Sequence, residues 1–244
     1  MAYILHIETA TQVCSVALSN SGQLIGLRES NEKNAHSSLI TVFIEELMRS
    51  SGLAFASIDA VAVSKGPGSY TGLRIGVSTA KGICYALDKP LIAISTLESM
   101  AAGMINEMES GTPSRTPSQS MLLCPMIDAR RMEVYSALFD QNLHPVREIQ
   151  AEVITGDSFG GFIKDNLIWF AGDGSEKCKT VLGHHANARF MEDFSPSAKY
   201  MINLAEAKFQ RSEFENVAYF EPFYLKDFIP GIPKVKGLRM KDEE

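Results

Sequence analysis

IDAVAVSKGPGSYTGLRIGVSTAKGICYAL, residues 58–87, is the stretch on which the reading of the fold turns. Its first part, IDAVAVSK, is rich in β-branched residues and predicts a buried strand. From about Thr71 to Leu87 the apolar positions recur at helical spacing, so a strand enters a helix through a loop holding Gly66, Pro67 and Gly68. No window here supplies the G-x-x-x-x-G-K-[ST] of a Walker loop. Gly66, Gly68 and Gly72 come close to G-x-G-x-x-G, but one gap is a residue too long and no ribose-binding acid follows. Inside the helix Gly72, Gly76 and Ala80 fall every fourth residue and make one bare ridge. An interior glycine costs about 1 kcal/mol against alanine, so close contact must offset it. Packing within the same fold and docking of a second polypeptide both satisfy that demand, with a phosphate cradle as the third reading.

Working outward, PLIAIS (90–95) predicts the next strand, and upstream Tyr3–Glu8, CSVALS (14–19) and QLIGLRES (23–30) form a three-strand meander. Leu39, Ile40, Phe43, Ile44, Leu47 and Met48 mark an amphipathic helix from His36 to Gly52. Three strands, a helix, a strand, a helix and a strand make an α/β unit, a mixed sheet whose later strands are parallel. A helix from Thr96 to Asn106 leads into SGTPSRTPSQS (110–120), a polar connection. Beyond it MLLCPMID and MEVYSALFD, joined at Ala129–Arg131, restart the opening meander and point to two related halves. LIWFAG reads as a strand, GDGSEKCKTVL as a loop into a helix, and SAKYMINLAEAKFQ as a helix bounded by Pro196, with a tail from Phe223. The expected division is an N-terminal domain 1–106, a connection 107–120, a smaller α/β domain 121–230 and a tail 231–244.

The 244 residues are 45% apolar, enough for a real core, and carry a net charge of -6. That charge argues against broad nucleic-acid binding by this surface alone. Cys14, Cys84, Cys124 and Cys178 form no C-x-x-C pair, so neither a zinc knuckle nor a disulfide framework is suggested. The apolar opening lacks a basic leader and meets Glu8 at once, and no run reaches membrane-spanning length; a cytoplasmic protein is the expectation.

Glu8, with Thr9 and Thr11, falls at the turn after the first strand, and Asp128 at the matching turn of the second half. Two acids so placed suit a Mg²⁺-bound nucleotide, and Gly172 and Asp173, opening a helix, offer a third place for phosphate. Each is equally explained as a polar strand end or a capped turn. The five histidines form no helical metal pair, with His6 read as a core residue and His36 as a helix start. No serine sits in a nucleophile elbow.

ILHIETATQVCSVAL, the His36–Ser37 helix opening, KGPGSYTGLRIGVSTAKGICYAL and PMIDARRMEVYSALF together closely resemble the TsaB (YeaZ) family of bacterial tRNA threonylcarbamoyladenosine biosynthesis proteins. The likeness is dense over the first hundred residues and around Asp128–Tyr135. It implies the actin/sugar kinase/Hsp70 fold, in two ribonuclease H-like halves around a cleft. It also implies a non-catalytic relative of the transferase TsaD, which binds and stabilises TsaD and assembles with the ATPase TsaE. On that resemblance tRNA is met only through the complex, the chain self-pairs when its partner is absent, and it has no cofactor of its own, ATP or ADP with Mg²⁺ lying at a complex interface. TsaD holds a metal with a helical H-x-x-x-H pair, whereas the corresponding TLESMAAGMINEM (96–108) has no histidine. Glu8 replaces the family's usual Asp. The implied docking face is His36, Leu39, Ile40, Phe43 and Leu47 of one helix with Tyr70, Gly72, Leu73, Gly76 and Ala80 of the other. Rival readings are an ATP/Mg²⁺-dependent transferase using Glu8 and Asp128, and a metallopeptidase. The basic run Lys234–Lys241 is read as a local RNA or partner contact, or as a solvated tail.

Overall fold

The computed structural model describes residues 2–32, 35–110 and 120–226. Most of the polar connection and all of the basic run lie outside them. Strands β1 (Tyr3–Glu8), β2 (Cys14–Asn20) and β3 (Gln23–Ser30) lead to helix α1 (His36–Ser51), then β4 (Ala60–Gly66), α2 (Tyr70–Leu87), β5 (Leu91–Ser95) and α3 (Thr96–Ser110). The second half runs β6 (Met121–Asp128), β7 (Glu133–Phe139), β8 (Pro145–Val153), α4 (Gly160–Ile163), β9 (Leu167–Ala171), α5 (Ser175–Leu182) and β10 (Ala188–Phe190). A 3₁₀ turn at Ala198–Met201 then opens α6 (Ile202–Gln210).

The first sheet has the order β3-β2-β1-β4-β5 and the second β8-β7-β6-β9-β10. In each, the first three strands are antiparallel neighbours and the last two join in parallel. The fold is therefore one unit used twice, as the repeated meander predicts.

Strand alternation decides what covers each face, because successive side chains point to opposite sides. From the first sheet Leu5, Ile7, Val16, Leu18, Val61 and Val63 pack with Ile40, Ile44 and Leu47 of α1 and Val77, Ala80 and Cys84 of α2. Their neighbours Ile4, Ala17, Ala60, Ala62, Ile92 and Ile94 face the other way, onto Ala198, Met201 and Ala205. In the second sheet Leu122, Cys124 and Met126 meet α4 and α5, while Leu123 and Ile127 meet Leu97, Met100 and Met104 of α3.

Three differences from the sequence reading follow from packing. β8, α4 and β10 were not anticipated. Residues 197–210, placed by sequence in the second half, cover the first sheet, because their small apolar face fits the alanine-rich side of β1, β2 and β4. The segment from Phe223, read as tail, is docked as far as Lys226. Its approach begins at Glu215, whose N–H donates to Leu91 O on the free edge of β5 (2.9 Å). Val217 and Phe220 then pack on the core under α2, and Lys81 Nζ donates to Ala218 O (3.2 Å) and Phe220 O (2.9 Å). Phe223 N–H donates to Lys65 O (2.7 Å), the Tyr224 ring meets Tyr70 at 5.0 Å, and Lys226 pairs with Glu133 of β7 at 2.6 Å.

Candidate functional site

The turn between β1 and β2 is where the glycine motif finds its purpose. Ser69 N–H donates to Ala10 O (2.6 Å), and Thr9 Oγ1 donates to Gly72 O (2.9 Å). A Cβ at Gly68 would strike the Ala10 carbonyl, one at Gly72 the Thr9 carbonyl, and one at Gly76 the Thr9 hydroxyl. The ridge is thus filled by the chain's own first turn, which supplies the contact that offsets the helical glycines. Gly66 answers a different need: it holds φ +112°, and a Cβ there would lie 2.7 Å from Phe223 O.

Seven of the ten residues read from the sequence as a docking face are covered by the fold itself. His36, Ile40, Leu47, Gly72, Leu73, Gly76 and Ala80 are all buried within the fold. Only Leu39, Phe43 and Tyr70 of the ten are half-exposed. Outward on the same two helices, and outside that reading, stand Val42 of α1, 44% exposed, and Tyr85 of α2, 85% exposed. Tyr85 broke the apolar pattern of its helix, and an aromatic off the buried stripe was the signal available.

Glu8 and Thr9 are sealed as well. Glu8 Oε1 accepts from Ala10 N–H (2.6 Å) and Ser64 Oγ (3.0 Å), while Oε2 is buried without a partner. Burial without a countercharge pushes the carboxyl up to about 7, against the pull of those hydrogen bonds. This burial weighs against Glu8 as a contact for a metal or nucleotide. His6, equally buried, meets Ser19 Oγ at 2.7 Å through Nε2; desolvation lowers it to about 3 and keeps it neutral.

At the matching turn of the second half the structure does bring the predicted residues together. Asp173 Oδ1 accepts from the Asp128 N–H (2.9 Å), and Asp128 Oδ1 accepts from Arg130 N–H (2.9 Å) and from Lys177 Nζ. Gly172 and Gly174 press onto the β6 backbone at Met126 and Ile127, where a Cβ would collide. The backbone read from sequence as a phosphate cradle is packed on its own sheet, where Gly174 N–H donates to Met126 O (3.2 Å), and the Asp128 charge is met by Lys177. No hydrogen bond among the described residues joins Asp128 or Asp173 to Glu8 or Thr9. Among the described residues no group of three His, Cys, Asp or Glu is placed to hold a metal ion.

Between the halves lies a cavity of about 360 Å³ whose lining includes Glu29, Glu107, Lys199 and Tyr200. Tyr200 OH donates to Glu107 (2.7 Å), and that bond holds the Glu107 carboxyl below its ordinary value. Among the described residues no helix is long and apolar enough to cross a membrane.

Two copies of one ribonuclease H-like unit define the duplicated class of actin, sugar kinases and Hsp70. YeaZ from Pseudomonas aeruginosa superposes on 92% of this chain and 100% of its own with a TM-score of 0.77 at 24% identity. The family described as TsaD, tRNA N6-adenosine threonylcarbamoyltransferase, matches residues 26–235, and the chain belongs to it. Its full-length likeness is to the tRNA threonylcarbamoyladenosine biosynthesis protein TsaB. Identity is 28% to that of Haemophilus influenzae, over 92% of this chain and 93% of the relative, and 28% to that of Escherichia coli K12, over 92% and 94%. The TsaB of Bacillus subtilis is 34% identical over 56% of this chain and 54% of its own.

Proposed function

We propose that this chain serves tRNA threonylcarbamoyladenosine synthesis as a non-catalytic cytoplasmic subunit that docks on a TsaD-type transferase and joins it to the ATPase TsaE. The observation that carries the reading is the likeness to TsaB along almost the whole chain. The docking face is the outward flank of α1 and α2, with Leu39, Val42, Phe43, Tyr70 and Tyr85, rather than the glycine ridge. Exposed apolar patches of this kind mark interaction surfaces, and the same flank pairs two copies when the partner is absent. ATP or ADP with Mg²⁺ belongs at the interface of the assembly, and tRNA is met through the complex. The burial of Glu8 and the pairing of Asp128 with Lys177 weigh against an ATP/Mg²⁺-dependent transferase working in this chain's own cleft.

The test mixes the chain with the transferase of its own organism and follows the complex by light scattering and calorimetry. Val42→Arg with Tyr85→Glu should abolish the heterodimer with an unchanged melting temperature. A heterodimer that survives both changes removes this face, and a wild-type chain that does not bind removes the reading. The chain alone should form no threonylcarbamoyladenosine on tRNA, whereas turnover by it would overturn the non-catalytic assignment.

A further inference from the structure

Three consecutive residues of the β1–β2 turn hold the starts of both α1 and α2. Thr9 Oγ1 donates to the Gly72 carbonyl in the first turn of α2, and Ala10 O accepts from the N–H of Ser69, the N-cap of that helix (2.6 Å). Thr11 O accepts from Nε2 of His36, the first residue of α1 (2.9 Å). α1 opens on Ala35, which offers no side-chain cap, so the His36 bond is the polar tether of that end. The turn is itself fixed from beneath: Ser64 of β4 donates to Glu8 Oε1 and accepts from the Thr9 N–H (3.4 Å), and Glu8 accepts from Ala10. Of these residues only Ser69 is exposed; Glu8, Thr9, Ala10, Thr11, Ala35, His36, Ser64 and Gly72 are all buried.

We infer that the buried turn Glu8–Thr11 is the positioning element that sets α1 against α2, so that residues absent from the surface govern the geometry of the docking flank. The inference rests on the docking role proposed above only for its consequence in binding; the placement of the two helices stands by itself. Thr9 and His36 are positioning residues: two bonds run from the turn to the start of α2, one of them from the Thr9 side chain, and one joins it to His36 of α1. Loss of the Thr9 bond leaves the α2 start on the Ala10–Ser69 bond alone, and loss of the His36 bond removes the side-chain tether of the α1 start, so the flank is no longer presented in one register.

The test reads the helix spacing directly. Spin labels go on Glu45→Cys of α1 and Ser78→Cys of α2, both exposed positions, and the four native cysteines are buried away from the reagent. In Thr9→Val and His36→Leu the distance distribution should shift or broaden by about 1–2 Å, the scale on which packed helices rearrange, whereas Thr9→Ser and His36→Gln, which keep a donor in place, should preserve it. The dissociation constant for the transferase should rise about tenfold in Thr9→Val and His36→Leu, within the range of coupling between a binding face and an element remote from it. An unchanged distance distribution in the folded variants overturns the inference. A changed distribution with unchanged affinity supports the positioning and overturns the docking role of the flank. Should Thr9→Val fail to fold, His36→Leu carries both readouts.

Discussion

A carboxyl buried with no countercharge, Glu8, and an imidazole buried beside a single serine, His6, make opposite demands on pH. Glu8 stands near 7 against an ordinary 4.5, so the folded state holds its proton more tightly. The stability this lends is present below about 4.5 and lost as pH rises through 7. With about 1.4 kcal/mol for each tenfold change in proton affinity, the loss is about 3 kcal/mol. His6 is lowered to about 3 from 6.5, so its contribution is present above 6.5 and lost as pH falls toward 3. Between pH 4.5 and 6.5 the two slopes oppose each other. Glu8→Gln removes one of them, and urea melts across that window should show the variant losing stability on acidification relative to wild type. The slope is the readout, because the new amide NH₂ sits where Oε2 lacks a partner and shifts the stability at every pH. Parallel pH profiles would mean that Glu8 is charged in the folded protein.

At the scale of the element, α2 shows what spacing reveals and what it hides. The strand, loop and helix of residues 58–87 were legible because β-branched density and helical periodicity are local signals; the helix begins at Tyr70, one residue before its predicted start. That Gly72, Gly76 and Ala80 share a face was legible too. What covers that face was not, since a bare ridge looks the same from sequence whether a partner or the chain's own Thr9 lies on it. β8 escaped notice because PVREIQAEV is an edge strand with polar residues along it, and β10 has three residues. The glycines of α2 therefore separate by environment. At Gly82 an added Cβ meets nothing within 4 Å, and Gly82→Ala should raise stability by about 0.5–1 kcal/mol. Gly72→Ala drives a methyl into the Thr9 carbonyl, a backbone atom that cannot turn aside, and should cost about 1–3 kcal/mol. Thermal melts of the two variants moving in the same direction would contradict the packing described for this helix.

Over the whole molecule, the halves are tied by segments that local patterns did not assign. The repeat of the meander announced two halves, yet residues 197–210 return to the first sheet, and the segment from Glu215 runs beside α2 to reach Glu133 of the second half. Long-range return of this kind depends on which exposed face is left uncovered, a property of the assembled sheets rather than of any window of sequence. The segment has two unequal attachments. Val217 and Phe220 bury apolar surface against the core under α2, worth about 2–4 kcal/mol together at partial burial. The Lys226–Glu133 pair is partly open to solvent and is worth about 0.2–1 kcal/mol, screened by salt. Deleting residues 215–244 should therefore lower stability in urea by several times more than Lys226→Ala does. The deletion's cost should persist at high salt, while that of Lys226→Ala should fade as salt is added. Equal effects of the two changes, or a deletion whose cost disappears with salt, would show that charge rather than buried apolar surface holds this segment to α2.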